Sequence, residues 1–273
     1  MGARGSVGRH VLDALIAQSV PVRASARKPE PDQFPANVDV VAADLTDRTS
    51  LDAAFAGIGQ VFLYANHAGV AGVIDAARNA GLSRIVLMSS GSVIHRTSAG
   101  NAITEEHREV EDAFAAADDL NVVPIRPLVL ATNALGWSWP IKASSSVALY
   151  RPDALTAPIH EKDIAAVTVA ALTGTRKPEV SDLLTGPMRI SQREQVAEIA
   201  AATGKSIEVT ELSRDEAAAQ FVRFMPAQEA DAVLQFLDDA AAGNSPATTT
   251  IADVLDRPAI GFDVWAADHA SDF

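Results

Sequence analysis

Two rhythms of apolar residues organise the first 127 positions. Val7, Val11, Leu12, Leu15 and Ile16 recur at the spacing of one helix face, which predicts a helix from about Ser6 to Gln18. Short apolar runs follow at Val22–Ala26, Val38–Ala42, Val61–Tyr64, Arg84–Met88 and Val122–Ile125, each of strand length. Between them lie a helix capped by Asp47 or Thr49 and running through Phe55, one from Gly69 to Ala80, and one from Glu105 to Ala117. Pro29, Pro31 and Pro35 mark a loop after the first of these strands.

Strands that alternate with helices at short, regular spacing are the signature of repeated βαβ units. The fold class is therefore α/β, a Rossmann-type parallel sheet with helices on both faces. Such sheets bind ligands at the carboxyl ends of their strands. Polar residues gather at those ends here: Arg27, Asp44, Asn66, Ser89, Ser90 and Arg126. From about residue 128 the pattern loosens. A helix from about Lys162 to Leu172 follows Ala157-Pro158-Ile159-His160, and Asp182–Leu184 reads as a strand. Ser191 with Glu194, and Ser213 with Glu216, form capping-box patterns that open two helices. Ile207–Val209 reads as a last strand, 227–242 as a helix, and Phe262 and Trp265 fall in a final short one. The expected division is a dinucleotide-binding core over 1–127 and a smaller, mostly helical substrate-side region over 128–273, packed on the core as one unit.

The core opens on a turn. Gly2, Gly5 and Gly8 are spaced G-x-x-G-x-x-G, directly before the first helix. Glycines there let backbone N–H groups approach a pyrophosphate at a helix N-terminus, so Gly2, Arg4, Gly5, Ser6 and Val7 are candidate cofactor contacts. Three glycines alone are equally compatible with a flexible terminus.

Composition narrows the classes. The chain has 273 residues, 48% of them apolar, and no run long enough to span a membrane. No secretion signal is visible, and the absence of cysteine fits a reducing cytoplasm. A net charge of −13 argues against a broad nucleic-acid-binding face.

With these landmarks in order, the chain resembles the NmrA-like branch of the atypical short-chain dehydrogenase/reductases, which includes quinone oxidoreductase- and azoreductase-like NAD(P)-binding proteins. The matching stretches are the glycine turn, Val22-Arg23-Ala24 with Arg27, Ala43-Asp44-Leu45, and Arg84-Ile85-Val86 with Ser89-Ser90. They continue with His107-x-x-x-Glu111, Ile125-Arg126-Pro127, Asn133, Ala157-Pro158-Ile159-His160-x-x-Asp163-Ile164-Ala165 and Leu184-Thr185-Gly186-Pro187. The resemblance implies NADP(H) or NAD(H) binding; some members reduce quinones, dyes or other small electrophiles, and others only sense the cofactor. It also implies an apolar first strand ahead of the glycine turn, between the strands at 22–26 and 61–64. Here the turn begins at Gly2, so the expected start lies upstream of Met1.

An acidic residue about 20 positions beyond the glycine turn would bind the ribose 2′-hydroxyl of NAD. This strand ends instead in Arg27-Lys28, two cations suited to a 2′-phosphate, so NADP is favoured and NAD remains possible. Asp44 and Leu45 would lie beside the adenine, although Asp44 also suits a structural turn. Ala65 and Asn66 would touch the nicotinamide ribose or diphosphate, or simply end a strand.

Catalysis is less explicit. The wider superfamily uses Tyr-x-x-x-Lys, but Tyr64 is followed four residues on by Ala68 and Tyr150 by Ala154. His107 is the candidate catalytic residue, as a proton donor or a contact to the nicotinamide ribose; an exposed helix histidine paired at i,i+4 is the plainer alternative. Glu111 reads as structural. His160 and Asp163 have the spacing of a metal pair but lack a third ligand, so no metal is expected. Trp137, Trp139 and Phe62 are candidates to flank a planar substrate or to pack a core. The expected function is hydride transfer from NAD(P)H to a small planar electrophile: a quinone, dye or activated alkene. The alternatives are a regulatory protein that senses NADP(H) and binds a protein partner without turnover, and a non-redox isomerase or cyclase.

Overall fold

The computed structural model describes residues 1–30, 33–174 and 177–273, so Pro31 lies outside the described residues. In chain order the elements are α1 (Ser6–Ala17), β1 (Arg23–Ala26), β2 (Asp39–Ala42), α2 (Arg48–Phe55), β3 (Gln60–Tyr64), α3 (Val70–Ala80), β4 (Arg84–Met88), α4 (Ala102–Ala115) and β5 (Val122–Pro127). They continue as α5 (Ser138–Ser144), β6 (Ser146–Tyr150), β7 (Leu155–Thr156), α6 (Glu161–Thr173), β8 (Leu183–Leu184), β9 (Ile190–Ser191) and α7 (Gln192–Thr203). The last are β10 (Glu208–Leu212), α8 (Arg214–Phe221), α9 (Ala227–Ala241), α10 (Thr250–Leu255) and α11 (Phe262–Asp268).

Two compact units emerge. The first comprises Met1–Ser90, Glu106–Arg126 and Ile164–Asp182. Its strands are all parallel and lie in two groups. β1 pairs with β2, while β3 pairs with β4 and β4 with β5. The register Phe62↔Val86 and Val86↔Val123 stacks apolar side chains across the second group. Leu51 and Phe55 of α2, Ile74 and Ala77 of α3, and Val110 and Phe114 of α4 join Val61, Leu63, Ile85 and Leu87 in one buried core. Burying apolar side chains of this size contributes roughly 1.5–3 kcal/mol each. Local signals fix the helix ends. The Asp47 side chain accepts from the Thr49 N–H at the start of α2, and Gly81 ends α3 in the left-handed region. Arg84 donates to the Ala171 carbonyl at 2.6 Å, tying α6 to β4.

The second unit comprises Gly91–Glu105, Pro127–Asp163 and Leu183–Phe273. β6 and β10 pair in parallel, with Val147 opposite Val209. Ile141, Val147, Leu149, Val196, Ile199, Phe262 and Trp265 form its main core. The Ser191–Glu194 and Ser213–Glu216 capping boxes are both made. The Ala157–His160 and Leu184–Pro187 stretches meet where the Gly186 N–H donates to the Ala157 carbonyl at 3.0 Å. Among the described residues, no helix is long and apolar enough to cross a membrane.

Candidate functional site

The glycine turn is tight. Gly2 has φ +71°, and the Gly5 N–H donates to the Gly2 carbonyl at 2.9 Å. A side chain at position 8 would put its Cβ 2.2 Å from that carbonyl, so the turn closes only over glycine. Gly5 is the N-cap of α1 and offers no side chain, and the first turn of α1 holds no acidic residue. The helix therefore presents its first N–H groups, with their partial positive charge, at the turn.

One side chain answers them. The Tyr64 hydroxyl accepts from the Gly8 N–H at 3.1 Å, and its ring passes so close that a Cβ on Gly2 would lie 2.7 Å from it. Burial pushes the phenol above the usual tyrosine range, against the opposing influence of the Gly8 and Val7 N–H groups. A dinucleotide phosphate would meet the same donors. Tyr64 is thus a member of the site that sequence spacing did not indicate, since it lies more than fifty residues from the turn it caps.

The remaining predicted contacts belong to the same unit. Arg27 and Lys28 follow β1 and are exposed. Asp44 and Leu45 follow β2. Asp44 Oδ1 accepts from the Thr46 N–H at 2.9 Å and the Thr46 hydroxyl at 2.8 Å. These bonds hold its carboxyl below the usual range, with a smaller contribution from Arg27. Asp44 thus shapes its own turn and lies within the electrostatic reach of Arg27. Ala65 donates its N–H to Met88 at 2.9 Å, extending the β3–β4 pairing, and the Asn66 side chain accepts from the Gly69 N–H at 2.9 Å. Arg4 is exposed, and Ser6 and Val7 open α1.

His107 sits half-buried on α4. Glu111, one turn on, is committed elsewhere. It takes Arg126 in a two-pronged pair at 2.9 and 2.5 Å and accepts from the Ser89 hydroxyl at 2.6 Å. Arg126 also donates to the Ser181 carbonyl at 2.8 Å. This network fixes the carboxyl end of β4 to α4 and β5, the structural role expected of Glu111. A further pair, His67 with Glu109 at 2.6 Å, joins the segment after β3 to α4.

The other candidates take structural parts. His160 lies 3.1 Å from Asp268 and 3.3 Å from Glu161. Asp163 is fully buried, pairs with Arg257 at 2.7 Å and accepts from the Ile260 N–H at 2.7 Å. Tyr150 donates to Asp238 at 2.7 Å, and burial together with that carboxylate raises its pKa. Phe62 is buried in β3, Trp137 packs on the second unit's core, and Trp139 is 77% exposed. Neither tyrosine has the lowered pKa that a proton-exchanging phenol requires.

The residues fit a dinucleotide: a turn only glycine can close, N–H groups at a helix start answered by one neutral phenol, and two exposed cations where a ribose phosphate would lie. Comparison with known proteins agrees. Residues 2–175 match a family described as NAD(P)H-binding. A (4-alkanoyl-5-oxo-2,5-dihydrofuran-3-yl)methyl phosphate reductase of Streptomyces griseus is 34% identical over 280 residues, covering all of this chain and 97% of that protein. An NAD(P)H azoreductase of Xenophilus azovorans is 26% identical over 288 residues, covering 100% of this chain and 98% of that protein. In structure, an NADPH-dependent quinone oxidoreductase of Escherichia coli, solved with NADPH, superposes with a TM-score of 0.78 at 21% identity, covering 98% of this chain and 97% of that one.

Proposed function

Because the chain belongs to the NAD(P)H-binding family, we propose that it is an NADPH-dependent reductase acting on an alkene conjugated to carbonyl groups. The observation that carries this reading is the glycine turn at the start of α1 together with Arg27 and Lys28 after β1. When bound, the reduced nicotinamide supplies a hydride. The backbone N–H groups of α1 would hold the pyrophosphate, Arg27 and Lys28 the 2′-phosphate, and Asn66 and His107 the nicotinamide ribose. Asp44 and Leu45 would border the adenine.

The substrate class follows from what the protein lacks as an acid. Tyr64 caps α1 and Tyr150 is bound to Asp238, so no phenol is poised to protonate a carbonyl oxygen. An alkene flanked by two carbonyl groups avoids that need. It accepts hydride at its β-carbon, the electron pair of the double bond spreads onto the carbonyl oxygens, and water supplies the proton at the α-carbon. The ring in the Streptomyces relative's name is of this kind, a lactone whose double bond is also conjugated to an alkanoyl group. Quinones share the same electronic property, and the second reading, a cofactor sensor without turnover, is favoured by the same two engaged tyrosines.

The test is cofactor selectivity. The chain is expected to bind NADPH more tightly than NADH by calorimetry. Replacing Arg27→Ala and Lys28→Ala together should weaken NADPH at least about tenfold, the scale of one lost charge-assisted contact, and leave NADH unchanged. Equal loss for both cofactors would remove the assignment of these two residues.

A further inference from the structure

β2 and β3 each end in a polar turn, and the two turns meet. After β2, the Asp44 carboxylate takes the Thr46 N–H and hydroxyl. The Ser50 hydroxyl accepts from the Asp44 N–H at 2.9 Å and donates to the Asp47 carbonyl at 2.8 Å. The Asp47 N–H closes this turn onto the Asp44 carbonyl at 3.1 Å. After β3, the Gly69 N–H donates to Asn66 Oδ1 at 2.9 Å and to the Asn66 carbonyl at 3.3 Å. Each turn is braced by its own side chains, and each opens a helix, α2 from Asp47 and α3 from Gly69.

The meeting point is Gly69 against the Leu45 carbonyl. A Cβ on residue 69 would lie 2.1 Å from that oxygen, 2.7 Å from its carbon and 3.3 Å from the Thr46 nitrogen. All three are backbone atoms, so no side-chain rotation makes room. Gly69 has φ −109°, which any residue can adopt, so the demand for glycine is one of space alone. Further along, Leu51 and Phe55 of α2 share a buried core with Val73, Ile74 and Ala77 of α3, and Arg48 pairs with Asp75 at 3.2 Å. The helices are therefore held together, and the contact at residue 69 sets the distance between the turns ahead of them.

We infer that Gly69 is a positioning residue for the adenine half of the cofactor: lacking a side chain, it lets the turn after β3 close on the Leu45 carbonyl and fixes the gap between Asp44–Leu45 and Ala65–Asn66. The inference rests on the placement of the adenine beside Asp44 and Leu45 under the proposed function, and makes no use of the substrate or of turnover. A methyl group at position 69 needs on the order of 1 Å more room to reach ordinary contact with the Leu45 oxygen. Because both turns are braced, that displacement passes to the residues that border the ligand.

The probe is adenosine 2′,5′-bisphosphate, which carries the adenine and 2′-phosphate of NADPH but no nicotinamide. Calorimetry follows its binding, and that of NADPH, to the wild-type chain, Gly69→Ala and Gly72→Ala, each well below its Tm. Gly69→Ala should weaken both ligands at least about tenfold and by the same factor. Gly72→Ala, at a position on α3 where a Cβ meets Leu51 Cδ1 at 4.0 Å, should leave both unchanged and raise Tm. A lower Tm with intact affinity in the folded Gly69→Ala chain overturns the proposal, because Gly69 then serves the fold alone. Should Gly69→Ala fail to fold, Asn66→Ala removes the side-chain acceptor of the Gly69 N–H and should weaken the bisphosphate about threefold. The bisphosphate lacks the nicotinamide ribose assigned to Asn66, so that loss reports on the turn; no loss overturns the proposal. Wild-type binding of NADPH without the bisphosphate overturns the placement of the adenine and this inference with it, whereas unchanged affinity in the variants overturns the role of Gly69 alone.

Discussion

At the scale of single residues, the site is a contest for the N–H groups that open α1. The Tyr64 hydroxyl holds the Gly8 N–H at 3.1 Å, where a phosphate oxygen would also bind. Tyr64→Phe removes this acceptor and should cost about 1 kcal/mol of stability, read as a lower Tm. The same change releases the donors, so NADPH should bind roughly threefold to tenfold more tightly by calorimetry, the range of one recovered charge-assisted bond. Unchanged affinity would show that the phenol and the phosphate do not compete. The glycine turn and the Asp44 turn were legible in the sequence because turn chemistry is local. Tyr64 was not, because nothing in local spacing brings a strand residue onto a turn 56 positions earlier. The Glu111–Arg126 pair joins α4 to β5, and its two residues entered the sequence reading separately.

At the scale of elements, the second unit rests on a buried ionic cluster where α6 begins. Glu161 accepts from the Trp265 indole at 3.0 Å and lies 2.7 Å from His269. His269 stacks on Trp265 at 4.5 Å, so α11 and the chain end are held by one carboxylate. Burial pushes the Glu161 carboxyl up, but hydrogen bonds from His160 and His269 outweigh it and hold the pKa at about 2, below the ordinary 4.5. A carboxylate depressed on folding contributes stability that is complete above pH 4.5 and is lost as pH falls through 4.5 toward 2. Glu161→Gln should lower Tm at neutral pH and flatten the fall in Tm between pH 4.5 and 2. An acid limb of unchanged slope would contradict this. The sequence signals for such elements were uneven. Capping boxes at Ser191 and Ser213 fixed two helix starts, and β4 was bounded correctly by its apolar run. β6 went unread because it follows a run of serines whose left-handed Ser145 has no glycine to announce it. α4 begins three residues before its expected start at Glu105, where the Asn101 side chain accepts from the Thr104 N–H.

At the scale of the whole molecule, the α/β class followed from the alternation of strand and helix periods, which repeats over enough turns to be unambiguous. Contacts that depend on chain-distant partners, such as Asp163 with Arg257, carry no periodic signal. Against a net charge of −13, Arg27 and Lys28 stand exposed and adjacent at the end of β1. The most direct test is turnover of a lactone whose double bond is conjugated to a second carbonyl, with NADPH deuterated at the transferable position of C4. Steady NADPH oxidation is expected, with deuterium at the β-carbon of the product and solvent hydrogen at the α-carbon. Stoichiometric NADPH binding with no oxidation in the presence of this lactone or a quinone would contradict the reductase and leave the cofactor sensor.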